Sequence, residues 1–276
     1  MNTKFMDVKA ELIKARANGY AIPAFNTNNL EVTKAICLSA AKYKLPILIA
    51  TTPGAIEYAG LKQLFDIVRD EVENSHIKAS IHLDHGKDFA IVKQAIDIGY
   101  PSVMFDGSAL DFDENVVMTE KVVRYAHNRN VAVEAEIGVI GREEGGRLSH
   151  KAVYSAPDQV RRFVEDTGID SVAVSVGNEH GAPQGEKIDA NLLREIAEVI
   201  DIPLVLHGSS GLSEGDIRES ISLGIAKINI DTNIRKAFIS GLDEGKGAAD
   251  YRDILKDGMI EVEKVVEYYI KLLGRR

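Results

Sequence analysis

The sequence contains one cysteine, seven prolines and no tryptophan, and aromatic residues make up only 6% of it. A lone Cys37 excludes an intrachain disulfide framework and a cysteine-rich zinc module, and it points to a reducing compartment, the cytoplasm. No stretch approaches the run of about 20 apolar residues that a membrane span needs. The opening MNTKFMDVKAELIKARANGY lacks the unbroken apolar stretch of a signal peptide, so no membrane partner is expected. Basic residues are outnumbered, 33 against 42 acidic, and the net charge of −9 disfavours nucleic acid as a partner. A phosphorylated small molecule stays compatible with that charge, because an anion site needs only local donors.

What is present is 276 residues, 45% hydrophobic and 27% charged, ample chain for two ordinary domains or one large barrel. Short runs rich in Val and Ile recur at 21–25, 46–50, 79–83, 102–105, 131–137, 171–176, 203–206 and 225–230. Amphipathic segments lie between them, at 29–43, 61–73, 115–128, 157–167, 191–200 and 214–223. This alternation predicts a parallel α/β sheet. Eight such units without a linker predict a single (β/α)8 (TIM) barrel domain over 1–276. The rival is a doubly wound open sheet, but no Gly-x-Gly-x-x-Gly follows the first run. A helix over 7–18 would precede the first strand. An amphipathic helix over 255–273 makes 243–276 a C-terminal helical extension, closing one barrel end or packing on a second subunit.

In such a barrel the reactive groups gather at the C-terminal ends of the strands. Asn26 follows the first run and Thr51-Thr52 the second, while Asp84-His85 ends the third and Asp106 the fourth. The fifth carries Glu134 and Glu136, and the sixth is followed by Asn178-Glu179-His180-Gly181. The seventh leads into His207-Gly208-Ser209-Ser210-Gly211, and the eighth passes through Asn229 and Ile230 into Asp231-Thr232. Three of the seven histidines thus share one predicted rim. Three imidazoles leave zinc the open position that catalysis requires, so His85, His180 and His207 are the expected ligands. His82 alternates with Ile81 and Leu83 and reads as barrel interior, whereas His76, His127 and His150 read as surface positions.

The Gly-Ser-Ser-Gly turn and the segment Asn229 to Thr232 flank the last two strands, where barrels often bind phosphate on backbone N–H groups. A divalent metal beside such a cradle suits Lewis-acid chemistry on a small phosphorylated carbonyl compound. Glu143-Glu144 sits in a stretch, 138–155, with four glycines and no apolar periodicity. It reads equally as a solvated surface loop or as a lid that delivers a carboxylate.

Together these segments resemble the class II, metal-dependent ketose-bisphosphate aldolases, specifically the shorter subclass holding fructose- and tagatose-1,6-bisphosphate aldolases. The likeness runs from about Tyr20 (GYAIPAFNTNNLE) to about Phe238. It takes in IHLDHG (81–86), SVMFDGS (102–108), VEAEIG (133–138), GNEHG (177–181), PLVLHGSSG (203–211) and AKINIDT (226–232). The resemblance implies that His85, His180 and His207 hold a catalytic Zn2+ and that Asp84 is the acid/base on the hydroxyl at the bond made or broken. Asp106 and Glu136 match positions for a second or displaced divalent ion. Gly181, Gly208, Ser209, Ser210, Asn229, Ile230, Asp231 and Thr232 match the dihydroxyacetone-phosphate site, with a monovalent cation, Na+ or K+, near the phosphate. Asn26 and Thr52 complete the implied substrate contacts, Thr52 toward the aldehyde partner. Glu144 falls where a loop carboxylate would exchange the carbon-bound proton, and Arg252 looks like the arginine that reaches a neighbouring subunit's site. A homodimer or homotetramer is implied with it.

The implied reaction is reversible cleavage of fructose 1,6-bisphosphate to dihydroxyacetone phosphate and glyceraldehyde 3-phosphate, with tagatose 1,6-bisphosphate or another phosphorylated ketose as the alternative. Two departures stand out. The family's Gly-Gly-x-Glu-Asp loop is here Gly141-Arg142-Glu143-Glu144-Gly145, and the usual proline before the arginine is missing at Arg252. The substrate signals divide: Ala50-Thr51-Thr52-Pro53-Gly54 leans toward tagatose-type members, Asp84-His85-Gly86 and Asn229-Ile230-Asp231-Thr232 toward fructose-type ones. Three rival readings remain: a Schiff-base aldolase on Lys227 or Lys87, hydrolysis by zinc-activated water, and a non-catalytic partner subunit.

Overall fold

The computed structural model describes residues 5–43, 45–144, 147–150, 152–181 and 185–274, with the backbone alone for 142–144 and 147–150. In chain order the elements are α1 (Val8–Ala17), β1 (Ile22–Asn26), α2 (Leu30–Tyr43), β2 (Ile47–Thr51), α3 (Pro53–Ala59), α4 (Leu61–Ser75) and β3 (Ala79–Gly86). There follow α5 (Phe89–Ile98), β4 (Ser102–Phe105), α6 (Phe112–His127), β5 (Ala132–Ile137), β6 (Gly141–Glu144), β7 (Arg147–His150), α7 (Pro157–Thr167) and β8 (Ser171–Val174). The chain ends with β9 (Glu179–His180), α8 (Ala190–Val199), β10 (Leu204–Leu206), α9 (Glu214–Ser222), β11 (Ile225–Ile230), α10 (Thr232–Glu244) and α11 (Tyr251–Leu273).

Eight parallel strands close a barrel in the order β1-β2-β3-β4-β5-β8-β10-β11, with β11 pairing back onto β1. Each of the eight predicted runs supplies one strand. Their outward side chains, such as Phe25, Ile81, Phe105 and Ile228, pack under the helices in the large core. The inward side chains change character along the barrel axis. Ile22, Ala24 and Leu48 meet Met6, Val8 and Leu12 around α1, which plugs the N-terminal end. Arg16 of α1 seals that end by donating to the carbonyls of Ile200, Ile202 and Ala197. Higher in the barrel, every-second-residue alternation turns His82 and Asp84 of β3, Glu134 and Glu136 of β5, and Lys227 and Asn229 of β11 inward, and all six are buried. The apolar plug therefore carries two polar layers on top of it.

The stretch 138–155, without periodicity in the sequence, contains β6 and β7, which pair antiparallel. β6 also pairs parallel with β9, so this small sheet lies beside the barrel mouth strand that carries His180. Among the helices, α3, α5 and α10 lie outside the periodic segments. Asp88, Asp111 and Asp189 start α5, α6 and α8 by accepting backbone N–H bonds, and Ser213 with Asp216 forms a capping box at α9. The C-terminal extension is chiefly α11, whose buried Val262, Val266 and Ile270 join the main core and whose Leu273 carbonyl accepts from Ala21 N–H at 3.1 Å. No helix among the described residues is long and apolar enough to cross a membrane.

Candidate active site and metal centre

Asp84 and His85 are neighbours on a strand, and regular alternation would send them to opposite faces. The structure avoids this with a β-bulge. Leu83 pairs with Val103 and Gly86 with Phe105, so three steps on β3 match two on β4. His85 takes a left-handed backbone, φ 53°, unusual for a residue with a Cβ and typical of functional positions. Both side chains thereby reach one cavity of about 350 Å³ at the C-terminal mouth.

His85, His180 and His207 converge there, with one ligating nitrogen from each inside a 4.8 Å span. His85 Nε2 and His207 Nδ1 are 3.1 Å apart. On its other side His85 Nδ1 lies 2.9 Å from Asp106 Oδ2, and His85, Asp106 and Glu136 form a second ligand-capable group. Glu136 Oε2 is buried with no hydrogen-bond partner among the described residues. Burial, then the Asp106 charge, pushes the Glu136 carboxyl up to about 8. A divalent cation there would offset the negative charge that burial and Asp106 disfavour on Glu136. Three imidazoles and an orphaned carboxylate oxygen are thus a donor set that fits a metal. Asp106 Oδ1 is itself fixed by the Ser108 hydroxyl and backbone N–H.

Asp84 is buried and accepts from two amides, Asn26 Nδ2 and Asn229 Nδ2, each at 2.9 Å. Burial alone would raise its carboxyl, but the His85 and His207 rings and Lys227 outweigh that and hold it below the usual carboxylate range. Its Oδ1 is 4.0 Å from His85 Nε2 and 3.9 Å from His207 Nδ1. Gly181, Gly208, Ser209, Ser210, Ile230, Asp231 and Thr232 line the same cavity, as do Asn26, Thr52 and Asn229. Thr52 also accepts from Ala55 N–H, capping α3 with its hydroxyl oxygen.

One expected residue is not brought to this cavity. Arg252 stands in the first turn of α11, exposed and ion-paired with Asp250, and does not line it. The side chain of Glu144 lies outside the described residues, as does that of His150; only their backbones, in β6 and β7, are described. Of the other histidines, His82 is buried in the barrel as predicted, and His76 and His127 are exposed.

Sequence reasoning missed how the lower polar layer serves the upper one. Glu134 Oε1 lies 2.9 Å from His207 Nε2, and Lys227 Nζ donates to both Glu134 oxygens at 2.9 and 2.8 Å. Lys227 is fully buried in that pair, which removes it as a free amine nucleophile. The only hint in the sequence was Glu134 standing two residues before Glu136, on the same face of its strand. Two cations at the cavity, Lys87 after β3 and Arg235 of α10, were not counted as site residues either. Arg235 is bound to Asp231 at 3.0 Å, whereas Lys87 is exposed and makes no hydrogen bond or ion pair among the described residues.

Comparison with known proteins agrees with this geometry. Residues 6–276 match the family described as fructose-bisphosphate aldolase class-II. The chain is 39% identical over 273 residues to the D-tagatose-1,6-bisphosphate aldolase subunit GatY of Klebsiella oxytoca, covering 96% of each. Among solved structures it is similar to the YdjI aldolase of Escherichia coli K12, with 31% identity, 98% of each chain covered and a TM-score of 0.88. A putative fructose-1,6-bisphosphate aldolase of Coccidioides immitis superposes with a TM-score of 0.89 at 29% identity, over 97% of this chain and 96% of that one.

Proposed function

The chain belongs to the class II fructose-bisphosphate aldolase family, whose members are carbon–carbon lyases acting on phosphorylated ketoses, and from that premise we propose that its substrate is tagatose 1,6-bisphosphate. The preference for tagatose, against the fructose expectation from the motifs, rests on the 39% likeness to a protein named as a tagatose-bisphosphate aldolase subunit. Fructose 1,6-bisphosphate is the second reading, supported by Asp84-His85-Gly86 and by Asn229-Ile230-Asp231-Thr232. The observation that carries the activity is the meeting of three histidines, a buried carboxylate and a glycine–serine cradle in one cavity.

His85, His180 and His207 would hold the metal, and a bound Zn2+ supplies Lewis-acid polarisation of the ketose carbonyl and neutralises charge that develops on its oxygen. In the cleavage direction Asp84, ionised between its two asparagines, takes the proton of the C4 hydroxyl. The O–H electrons become the aldehyde C=O. The C3–C4 bond breaks, and its electron pair is delocalised over C3, C2 and the carbonyl oxygen as an enediolate. A proton from Glu144, or from water, to C3 then releases dihydroxyacetone phosphate. Backbone groups at Gly208, Ser209 and Ser210 and at the start of α10 would orient the phosphate that stays with this half. Asp106 and Glu136 would hold a second or displaced ion, and a monovalent cation would sit by the phosphate. Arg252 would serve a neighbouring subunit in a homo-oligomer.

The test is a coupled cleavage assay on the two bisphosphates in parallel, before and after EDTA, with zinc add-back. Zinc-restored release of dihydroxyacetone phosphate, with kcat/KM higher for tagatose 1,6-bisphosphate, is the expected result. A borohydride-trapped adduct with full activity in chelator would overturn the metal mechanism.

A further inference from the structure

We propose that Lys227 and Glu134 form a positioning unit that fixes which nitrogen of His207 faces a metal, holding the ring as the Nε2–H tautomer with Nδ1 bare toward the site. The inference rests on the reading of the three histidines as a metal centre. It begins with what each group can donate. A carboxylate has no hydrogen to give, so the 2.9 Å contact between Glu134 Oε1 and His207 Nε2 needs its proton on the imidazole. The other ring nitrogen, Nδ1, is then a lone pair, and it points to the space shared with His85 Nε2, 3.1 Å away.

Lys227 makes the arrangement one-way. Its ammonium donates to both Glu134 oxygens and lies 3.3 Å from His82 Nε2, which in turn has its Nδ1 2.8 Å from the Ser102 hydroxyl. An ammonium only donates, so His82 must accept at Nε2 and carry its proton on Nδ1. The ladder Ser102–His82–Lys227–Glu134–His207 thus has a single consistent proton arrangement, and it draws on four barrel strands, β4, β3, β11 and β5, and on the residue after β10. Asn178 Nδ2 holds the His207 carbonyl at 2.9 Å, so the ring is pinned from its backbone as well. Stability does not account for the pair. Lys227 and Glu134 are 0% and 2% exposed, and a buried ion pair is commonly replaceable by apolar side chains at no cost to the fold. Hydrogen-bonded carboxylates behind metal-bound histidines set ring orientation and ligand strength, and their loss weakens metal binding about 10–100-fold.

The test uses the full-length protein with zinc as probe. Glu134→Met with Lys227→Met removes both charges together, so neither is left buried alone. Apo melting temperature close to wild type, with zinc affinity weakened about 10–100-fold in chelator competition and an altered cobalt(II) visible spectrum, is the expected result. A folded double variant with unchanged zinc affinity and cobalt spectrum overturns the inference. The wild type supplies a reading that needs no variant: long-range 1H–15N NMR of the histidine rings should find the His207 proton on Nε2 and a zinc-induced shift at Nδ1. A proton on Nδ1, or a zinc shift at Nε2, overturns it as well. None of these readouts depends on which sugar is cleaved. Wild type that binds zinc but cleaves neither bisphosphate would remove the functional reading and leave this one standing.

Discussion

At the scale of single residues, the proposed mechanism separates groups that react from groups that recognise. Asp84 is held ionised by two neutral amides, Asn26 and Asn229, which leaves it able to take a proton from a substrate hydroxyl. Asp84→Asn keeps the size and loses the base, and kcat for cleavage should fall by about 10²–10⁴ while zinc content, read by atomic absorption, stays at the wild-type level. An equal loss of zinc would reassign Asp84 to the metal. Lys87 is placed to recognise substrate. Among the described residues Arg235 is tied to Asp231, whereas Lys87 has no hydrogen-bond or ion-pair partner and can meet an anion. It follows β3, next in the barrel to the β2 strand that leads into Thr52, while the glycine–serine cradle follows β10. A ketose bisphosphate spanning the mouth would place its second phosphate on the Lys87 side. A hydrogen bond to a charged group contributes about 1.5–3 kcal/mol, so Lys87→Met should lower kcat/KM for the 1,6-bisphosphate by roughly 10–100-fold and leave that for ketose 1-phosphate unchanged. An equal effect on both substrates would place Lys87 outside the phosphate contact.

At the scale of elements, the turn after β10 is held against β9 with almost no clearance. A Cβ added at Gly208 would stand 2.5 Å from the Glu179 carbonyl carbon and 2.9 Å from His180 N, and the backbone there has φ 61°. Backbone cannot yield as a flexible side chain does, so Gly208→Ala must displace β9 and with it the His180 ligand. The expected result is weaker zinc binding in chelator competition together with a raised KM, and unaltered values of both would show that β9 moves freely. The same elements show where the sequence could be read and where not. The eight barrel strands are short Val/Ile runs buried on both faces, a pattern that survives any tertiary detail, so they appear within a few residues of their predicted positions. α5 opens Phe-Ala-Ile-Val, which reads as strand as readily as helix, and α10 buries only Ile234 and Gly241, too few for a periodic face. β6 and β9 are polar and exist through each other: Gly141 pairs with Glu179 and Arg142 with His180, a link across 38 residues that no local pattern records. The bulge that turns Asp84 and His85 to one side is likewise set by pairing with β4 and not by the residues themselves. Histidine and carboxylate positions at the rim were therefore legible, whereas the ladder through Lys227 required inward alternation on several strands at once.

At the scale of the whole molecule, the barrel gathers three candidate ligands that are far apart in the chain. His85 belongs to β3, His180 to the outlying β9 and His207 to the end of β10, so the metal-binding arrangement exists only when the barrel is closed and the small sheet is docked. A ligand that binds the folded form alone stabilises it by RT ln(1 + [L]/Kd), about 2.7 kcal/mol at a free concentration 100 times Kd. With roughly 2–4 °C of melting temperature per kcal/mol for chains of this size class, zinc should raise the midpoint by about 5–10 °C over the EDTA-treated protein. Scanning calorimetry at fixed protein concentration, with free zinc set by a buffer, measures this. His180→Ala separates the centre from nonspecific zinc binding at surface histidines. It deletes the ligand on β9 without opening the buried barrel core, so the apo midpoint should hold while the zinc-dependent rise shrinks. A rise of the same size in that variant would mean that zinc binds elsewhere. No rise in the wild type would mean that zinc does not bind the folded form at these three rings, and would overturn the metal reading of the site.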